Sequence, residues 1–507
     1  MFRKKMNNGF KIDCFVLAAG NVADTVSGLK ACPAVSSVTL VETAQSHADV
    51  PGCSKLSVDS MQSSAAVKAI ADAAKAPLTL LYTKPDVLQL GYQALERVSL
   101  IAADCGAGML YADHYHLKGG VRAKAPVIDY QMGSLRDDFD FGSVLVFSTA
   151  ALKESASRMT ADYKAAGLYD LRLKLSQKYA VEHINEYLYT DVERDTRSSG
   201  QKIYDYCDPR NNAVQLEMEA ACTDHLKQIG AYLAPTDFRD VDFDSEAFDV
   251  EATVVIPVLN RVRVIRDAIK SVLGQQADFK FNLLVVDNHS TDGPSEAIDE
   301  FSADPRLIHI IPERTDLGIG GCWNLAANDP RCGKFIIGLD SDDIYATPAT
   351  LRTMVEQFYR ENAAMVCGTY KMVDVKLNEI PPGIIDHHEW TPDNGRNNAL
   401  HVNGFGGPRA FYTPIYRALQ LPDTCYGEDY AMGLMVCRNY RVGRVYDVMT
   451  LARRWDDNTD ANLDINKENA NNLYKDRIRT WEVKARIQKN KKNKIFTITK
   501  LNNHGKN

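Results

Sequence analysis

No apolar run in this 507-residue chain approaches the roughly 20 residues that span a bilayer. No pair of its eleven cysteines has Cys-x-x-Cys spacing. That absence, with an odd and scattered cysteine count, excludes a zinc knuckle, argues against a disulfide frame and predicts a reducing, cytoplasmic setting. A basic excess is missing too. Lys and Arg number 59 against 66 Asp and Glu, giving a net charge of −7 and a pI near 5.9, which argues against general nucleic-acid binding. The basic start Met1-Phe-Arg-Lys-Lys leads into an apolar segment broken by Lys11 and Asp13, so no signal peptide is expected. What is present is ordinary globular composition, 45% hydrophobic and 25% charged, enough for about two to four domains.

The most informative stretch is Phe335-Ile-Ile-Gly-Leu-Asp340-Ser-Asp342-Asp343, an apolar run that ends in three carboxylates. Such a run suits the carboxyl end of a strand in an open α/β sheet, where such folds bind ligands. Carboxylates packed this closely repel one another unless a cation sits among them, and hard oxygen donors suit Mg²⁺ or Mn²⁺. The alternative is a solvated acidic turn ahead of a helix starting near Thr347-Pro348.

Strand-like and helix-like runs alternate from residue 248 to about 460, which predicts a mainly parallel sheet with helices on both faces. The N-terminal part repeats the plan more faintly. Phe15-Val-Leu-Ala18 answers Val255-Ile-Pro257, and Val38-Thr-Leu-Val-Glu42 answers Leu284-Val-Val-Asp287. Thr83-Lys84-Pro85-Asp86 answers the Asp340–Asp343 cluster, Ala107-Gly-Met-Leu-Tyr111 answers Ala364-Met-Val-Cys-Gly368, and Gly167-Leu-Tyr-Asp170 answers Gly427-Glu428-Asp429. The order is preserved, as a duplicated domain would have it. Residues 171–235 are rich in helix formers, 235–249 carry six acidic residues as a linker would, and 484–507 carry eight Lys or Arg with no acid.

Val254-Val-Ile-Pro257-Val-Leu-Asn260, Val285-Val-Asp287-Asn-His-Ser290-Thr-Asp292, Asp340-Ser-Asp342-Asp343 and Glu428-Asp429 together resemble, in order and spacing, the bacterial family 2 inverting glycosyltransferases with a GT-A fold. The resemblance implies tandem GT-A-like domains of α/β class: a degenerate domain over 10–170, a helical segment and linker over 171–249, a catalytic domain over 250–460, and a helical extension with a basic tail over 461–507. It implies a nucleotide-sugar pocket at Pro257, Asn260, Asp287 (toward the base) and Gly318, whose neighbours Gly320 and Gly321 would let backbone approach the donor. It implies a DxD motif in which Asp342 contacts Mn²⁺ or Mg²⁺ directly, Asp340 reaches the ribose or the metal, and Asp343 supports. Asp429 would be the general base, with Glu428 orienting it or binding acceptor. Arg453 and Arg454 would hold the diphosphate, and Trp455 stands where many family members have a metal-binding histidine. Trp390 and Arg409 would face sugar or acceptor.

The implied reaction moves a sugar from a UDP- or GDP-sugar to a hydroxyl of a glycan or lipid-linked acceptor, as in polysaccharide biosynthesis. Two rivals remain: a sugar-1-phosphate nucleotidyltransferase, and a non-catalytic glycan-binding protein. In the first domain Lys84 stands among the metal positions and would repel a cation, so that copy is expected to lack the metal cluster. The basic tail predicts peripheral contact with an anionic membrane face, or else a solvated end.

Overall fold

The computed structural model describes residues 10–192, 205–455 and 463–504. The chain forms two compact units, one of Met1–Tyr232 with Asp464–Asn507, the other of Leu233–Leu463. The second unit is thus inserted, along the chain, within the first.

The first unit has nine strands: β1 (Ile12–Leu17), β2 (Val35–Glu42), β3 (Ser54–Ser57), β4 (Leu78–Tyr82), β5 (Gln89–Leu90), β6 (Met109–Lys118), β7 (Val121–Ala125), β8 (Val144–Ser148) and β9 (Val181–Val192). They form one sheet ordered β3-β2-β1-β4-β8-β6-β9-β5, with β7 on β6. The second unit's strands are β10 (Ala252–Val258), β11 (Phe281–Asp287), β12 (Leu307–Ile310), β13 (Phe335–Gly338), β14 (Ile344–Tyr345), β15 (Ala363–Val373), β16 (Glu379–Ile385), β17 (Arg409–Tyr412) and β18 (Arg441–Arg453). Their order is β12-β11-β10-β13-β17-β15-β18-β14, with β16 on β15. Strand for strand, the two orders are the same.

Each sheet is mixed. The parallel part is the run expected from the sequence, β12-β11-β10-β13 in the second unit; β17 then returns antiparallel to β13, and β18 runs parallel to β15. The parallel strands read as continuous apolar runs because helices cover both faces. In β10 and β11 almost every residue is buried. The helix Ile265–Leu273 contributes a single apolar face, Ile265, Ala268, Ile269 and Val272, all buried.

Ladder registers fix the correspondence between the copies. Leu78 lies opposite Ser148 where Phe335 lies opposite Tyr412, so Thr83–Asp86 does answer Asp340–Asp343. Met109 and Met365 lie opposite Phe147 and Phe411, so Ala107 answers Ala363 rather than Ala364, a slip of one residue in the sequence reading. In the helix-rich segment 171–249, β9 is a strand: Tyr187, Tyr189 and Thr190 favour the pleated conformation that β6 extends to them.

The C-terminal helix Ile465–His504 packs on the first unit. Its Asp476 accepts from Ser134 Oγ at 2.9 Å and pairs with Arg479 at 3.0 Å. A Cβ on Gly133 would lie 2.1 Å from Thr480 N, so only glycine admits the helix this close. Arg486, counted in the basic tail, is fully buried and paired with Glu482 at 2.7 Å. It closes the fold and is not available to a membrane.

Candidate active site

The site of the second unit is built on the carboxyl ends of β10, β11 and β13 and on the helix Glu428–Cys437. Asn260, at φ +55°, ties the loop after β10 to the loop after β11: its N–H donates to Ser290 Oγ at 3.0 Å, and its Oδ1 accepts from Thr291 N at 2.8 Å. Pro257 is half-buried at the end of β10.

After β13 the chain turns through the carboxylates. Asp340 is exposed and Asp342 is half-buried. Trp455 Nε1–H donates to Asp342 Oδ2 at 3.3 Å, and Arg261 Nε lies 3.9 Å from the same oxygen. Arg261 and Arg263 stand over the Trp455 ring, at 5.9 and 5.2 Å. Burial, then the charges of Asp340 and Asp342, push the Asp343 carboxyl well above the ordinary carboxylate range, although Arg453 N donates to it at 3.0 Å. Asp343 thus sits in the field of two further carboxylates on the same turn, hard oxygen donors of the type that hold Mg²⁺ or Mn²⁺.

Gly427, at φ +77°, opens the helix that carries Glu428 and Asp429. Asp429 is 29% exposed at its side chain, and its Oδ2 pairs with Arg409 NH1 at 2.9 Å. Burial disfavours the Arg409 charge, but Asp429, Asp340 and Glu428 more than offset this, so its pKa is raised. That shared field brings the Asp340 loop and the Asp429 helix into one site. Burial, then Asp429, pushes Glu428 up to about 8, and its Oε2 has no hydrogen-bond partner among the described residues.

Several expected roles are not what the geometry provides. Asp287 is 1% exposed; it accepts from Ser290 N at 3.0 Å and from Ser295 Oγ, so it braces the turn instead of facing a base. In its neighbour Asn288, Nδ2 donates to Leu317 O at 2.8 Å, while the buried Oδ1 has no partner among the described residues. Gly318 N and Gly321 N both donate to Asp423 Oδ1, at 2.7 and 2.8 Å, and a Cβ on Gly320 would lie 1.9 Å from Pro422 O. These glycines admit the chain's own 422–424 segment, and Asp423 takes the amides expected for a donor. Trp390 is 8% exposed against Phe405, with Arg444 over its ring, so it is a core residue and offers no open face to a sugar. Arg453 is 4% exposed, pairs with Asp267 at 2.9 Å and donates to Asp342 O, bracing the carboxylate loop and leaving no free fork for a diphosphate. Arg454 extends the ladder through its N–H to Val373 O at 2.8 Å.

The first unit has no such constellation at the matching positions. Lys84 pairs with Asp191 at 2.7 Å. Asp170 is 2% exposed beside Lys174 at 3.5 Å, and burial raises its pKa.

Residues 253–417 match the family model described as "Glycosyl transferase family 2". An uncharacterized glycosyltransferase of Rickettsia conorii is 36% identical over 97 residues, 19% of this chain and 15% of that protein's length. The uncharacterized glycosyltransferase YfnE of Bacillus subtilis is 30% identical over 122 residues, 24% of this chain and 30% of that protein. Among solved structures, S. aureus TarS 1-349 in complex with UDP-GlcNAc is 19% identical with a TM-score of 0.38, covering 46% of this chain and 66% of that one. The mannosyltransferase PcManGT of Pyrobaculum calidifontis, in complex with GDP-Man and Mn²⁺, is 17% identical with a TM-score of 0.32, covering 48% and 66%. Residues 253–417, within the second unit, thus carry the sequence pattern of glycosyl transferase family 2.

Proposed function

We propose that the second unit transfers a sugar, with inversion, from a nucleotide-diphosphate sugar to a hydroxyl of a glycan or lipid-linked acceptor, and that it needs a divalent cation. The observation that carries this reading is the Asp429–Arg409 pair within the field of Asp340. Asp429 would take the proton as the acceptor oxygen bonds to the anomeric carbon and the diphosphate leaves with its electron pair. Arg409 holds that carboxylate in place. Asp342 and Asp340 would bind Mn²⁺ or Mg²⁺, which neutralises the charge of a departing diphosphate.

A donor screen tests this. UDP- and GDP-sugars should raise the melting temperature with Mn²⁺ and not without it. Turnover should release nucleoside diphosphate; release of pyrophosphate would favour the nucleotidyltransferase reading, and binding without turnover a glycan-binding role. A cytoplasmic setting and contact with a membrane face belong to the same reading. Among the described residues no helix is long and apolar enough to cross a membrane, and of the tail's basic groups Lys484, Lys491 and Lys492 are exposed. The tail residues Lys494, Lys500 and Lys506 have side chains outside the described residues. A chain ending at Asn493 that also carries Lys484→Gln, Lys491→Gln and Lys492→Gln should lose sedimentation with anionic vesicles at low salt if the tail serves this purpose.

A further inference from the structure

In the first unit the strand ends carry a different cluster. His114 and His116 point to the same face of β6, and Asp191 of β9 lies opposite His116 in the ladder. One ring nitrogen of each histidine and one oxygen of Asp191 lie within 4.8 Å of one another. Asp191 is fully buried and receives His116 Nδ1, Lys84 Nζ at 2.7 Å and Ser143 Oγ at 2.5 Å. Burial alone would raise its pKa, but these donors bring it down to about 2. His114 is 1% exposed and stacks on Tyr189, and its buried Nδ1 has no hydrogen-bond partner among the described residues.

The fold does not require this cluster. In the second unit the same ladder positions hold Tyr370 for His114, Met372 for His116 and Ala452 for Asp191, while Ser341 stands for Lys84. A buried carboxylate and two imidazoles at these positions cost stability unless each is paired, and the pairing stops short of His114 Nδ1. A purely structural network would also satisfy His114 Nδ1.

We propose that His114, His116 and Asp191 form a binding site for a divalent cation of the zinc class in the first unit, separate from the carboxylate site of the second. Two imidazoles and one carboxylate suit Zn²⁺ better than Mg²⁺. Tetrahedral bond lengths of about 2.0–2.1 Å put ligand atoms roughly 3.3 Å apart, so the hydrogen-bonded His116–Asp191 pair opens to admit the ion while the cluster as a whole already lies within 4.8 Å. The cation replaces the proton between His116 and Asp191 and displaces the Lys84 ammonium, which already donates to Val192 O at 3.2 Å. Lys84 and His116 are each about a quarter exposed, so the site opens to solvent. Three protein ligands leave a fourth position for water or an oxygen of a bound molecule, as at open zinc sites.

The test is zinc binding by the untagged full chain, read by competition with a chromophoric chelator and by visible absorption of the Co²⁺ form. The Asp342→Ala chain, which lacks a carboxylate of the other site, should still bind one zinc. His116→Ala and the milder His116→Gln should weaken binding beyond the roughly 10–100-fold that a lost supporting contact costs. Lys84→Met should tighten it, because a competing cation is gone, whereas a structural salt bridge would give only a lower melting temperature. Zinc affinity unchanged in folded His116→Gln, or no uptake by the Asp342→Ala chain, overturns the proposal.

Discussion

The two units share one strand order and differ at the ends of the strands. In the second, Asp340 and Asp342 crowd a turn open to solvent, and Asp429 is accessible beside Arg409. In the first, Lys84 has entered that turn, and the acid on the matching helix, Asp170, is buried against Lys174. The sheet therefore carries the fold, while the segments after β13 and β17 carry the carboxylates that differ between the copies. One set of registers can hold an open carboxylate site or a closed ion pair, depending on a few side chains.

The contrast can be broken by substitution. The largest effect is expected at Asp429. Asp429→Asn keeps the shape and removes the proton acceptor, so transfer should fall by about 10² to 10⁴ with donor affinity little changed. Donor affinity that collapses while saturated turnover persists would make Asp429 a binding residue. Asp342→Ala should abolish the Mn²⁺-dependent part of donor binding without lowering the melting temperature, since the turn lies outside the core; full turnover in EDTA would contradict this.

Asp170→Asn sharpens the comparison from the other side. It should leave transfer unchanged and lower stability by about 1–3 kcal/mol, the cost of weakening a buried charge's pairing, with Asp224 left to hold Lys174. Loss of activity at an unaltered melting temperature would mean the first unit works on donor or acceptor directly.

The last substitution concerns Glu428. Its folded pKa, about 8, lies above the ordinary carboxylate value, so the folded chain holds a proton that the unfolded chain has released. Its contribution to stability is therefore neutral below about pH 4.5 and increasingly unfavourable as pH rises to 8. Glu428→Gln should match the parent near pH 4 and melt higher at pH 9, by about 2–4 °C for each kcal/mol relieved. Parallel melting curves across that range would show Glu428 ionised in the folded protein.

Much of this was legible in the sequence, for identifiable reasons. Buried parallel strands read as apolar runs, and a carboxylate cluster after such a run marks a ligand-binding end. The repeat was visible because strands β1, β2 and β4 keep their apolar character, and it slipped by one residue at β6, where alanine and glycine give no register. Trp390 misled because an aromatic in a loop looks like a stacking platform until Phe405 and Arg444 are seen around it. The glycines at 318, 320 and 321 were assigned to a ligand because sequence cannot show that Asp423, a hundred residues on, fills the same space. The histidine cluster was missed because its members are spread over β6 and β9, and only the ladder joins them.

The insertion of one unit within the other has a consequence for synthesis. The segment that supplies Asp476 and Arg486 to the first unit's interior follows Leu463. At about 5–20 residues per second, a ribosome needs roughly 12 to 46 seconds to make the intervening unit. Through that interval the first unit waits, its helix-binding face uncovered beside Gly133, whereas the second unit is complete once Leu463 is made. The nascent chain thus finishes its middle before its beginning, and the wait is when a chaperone has most to protect.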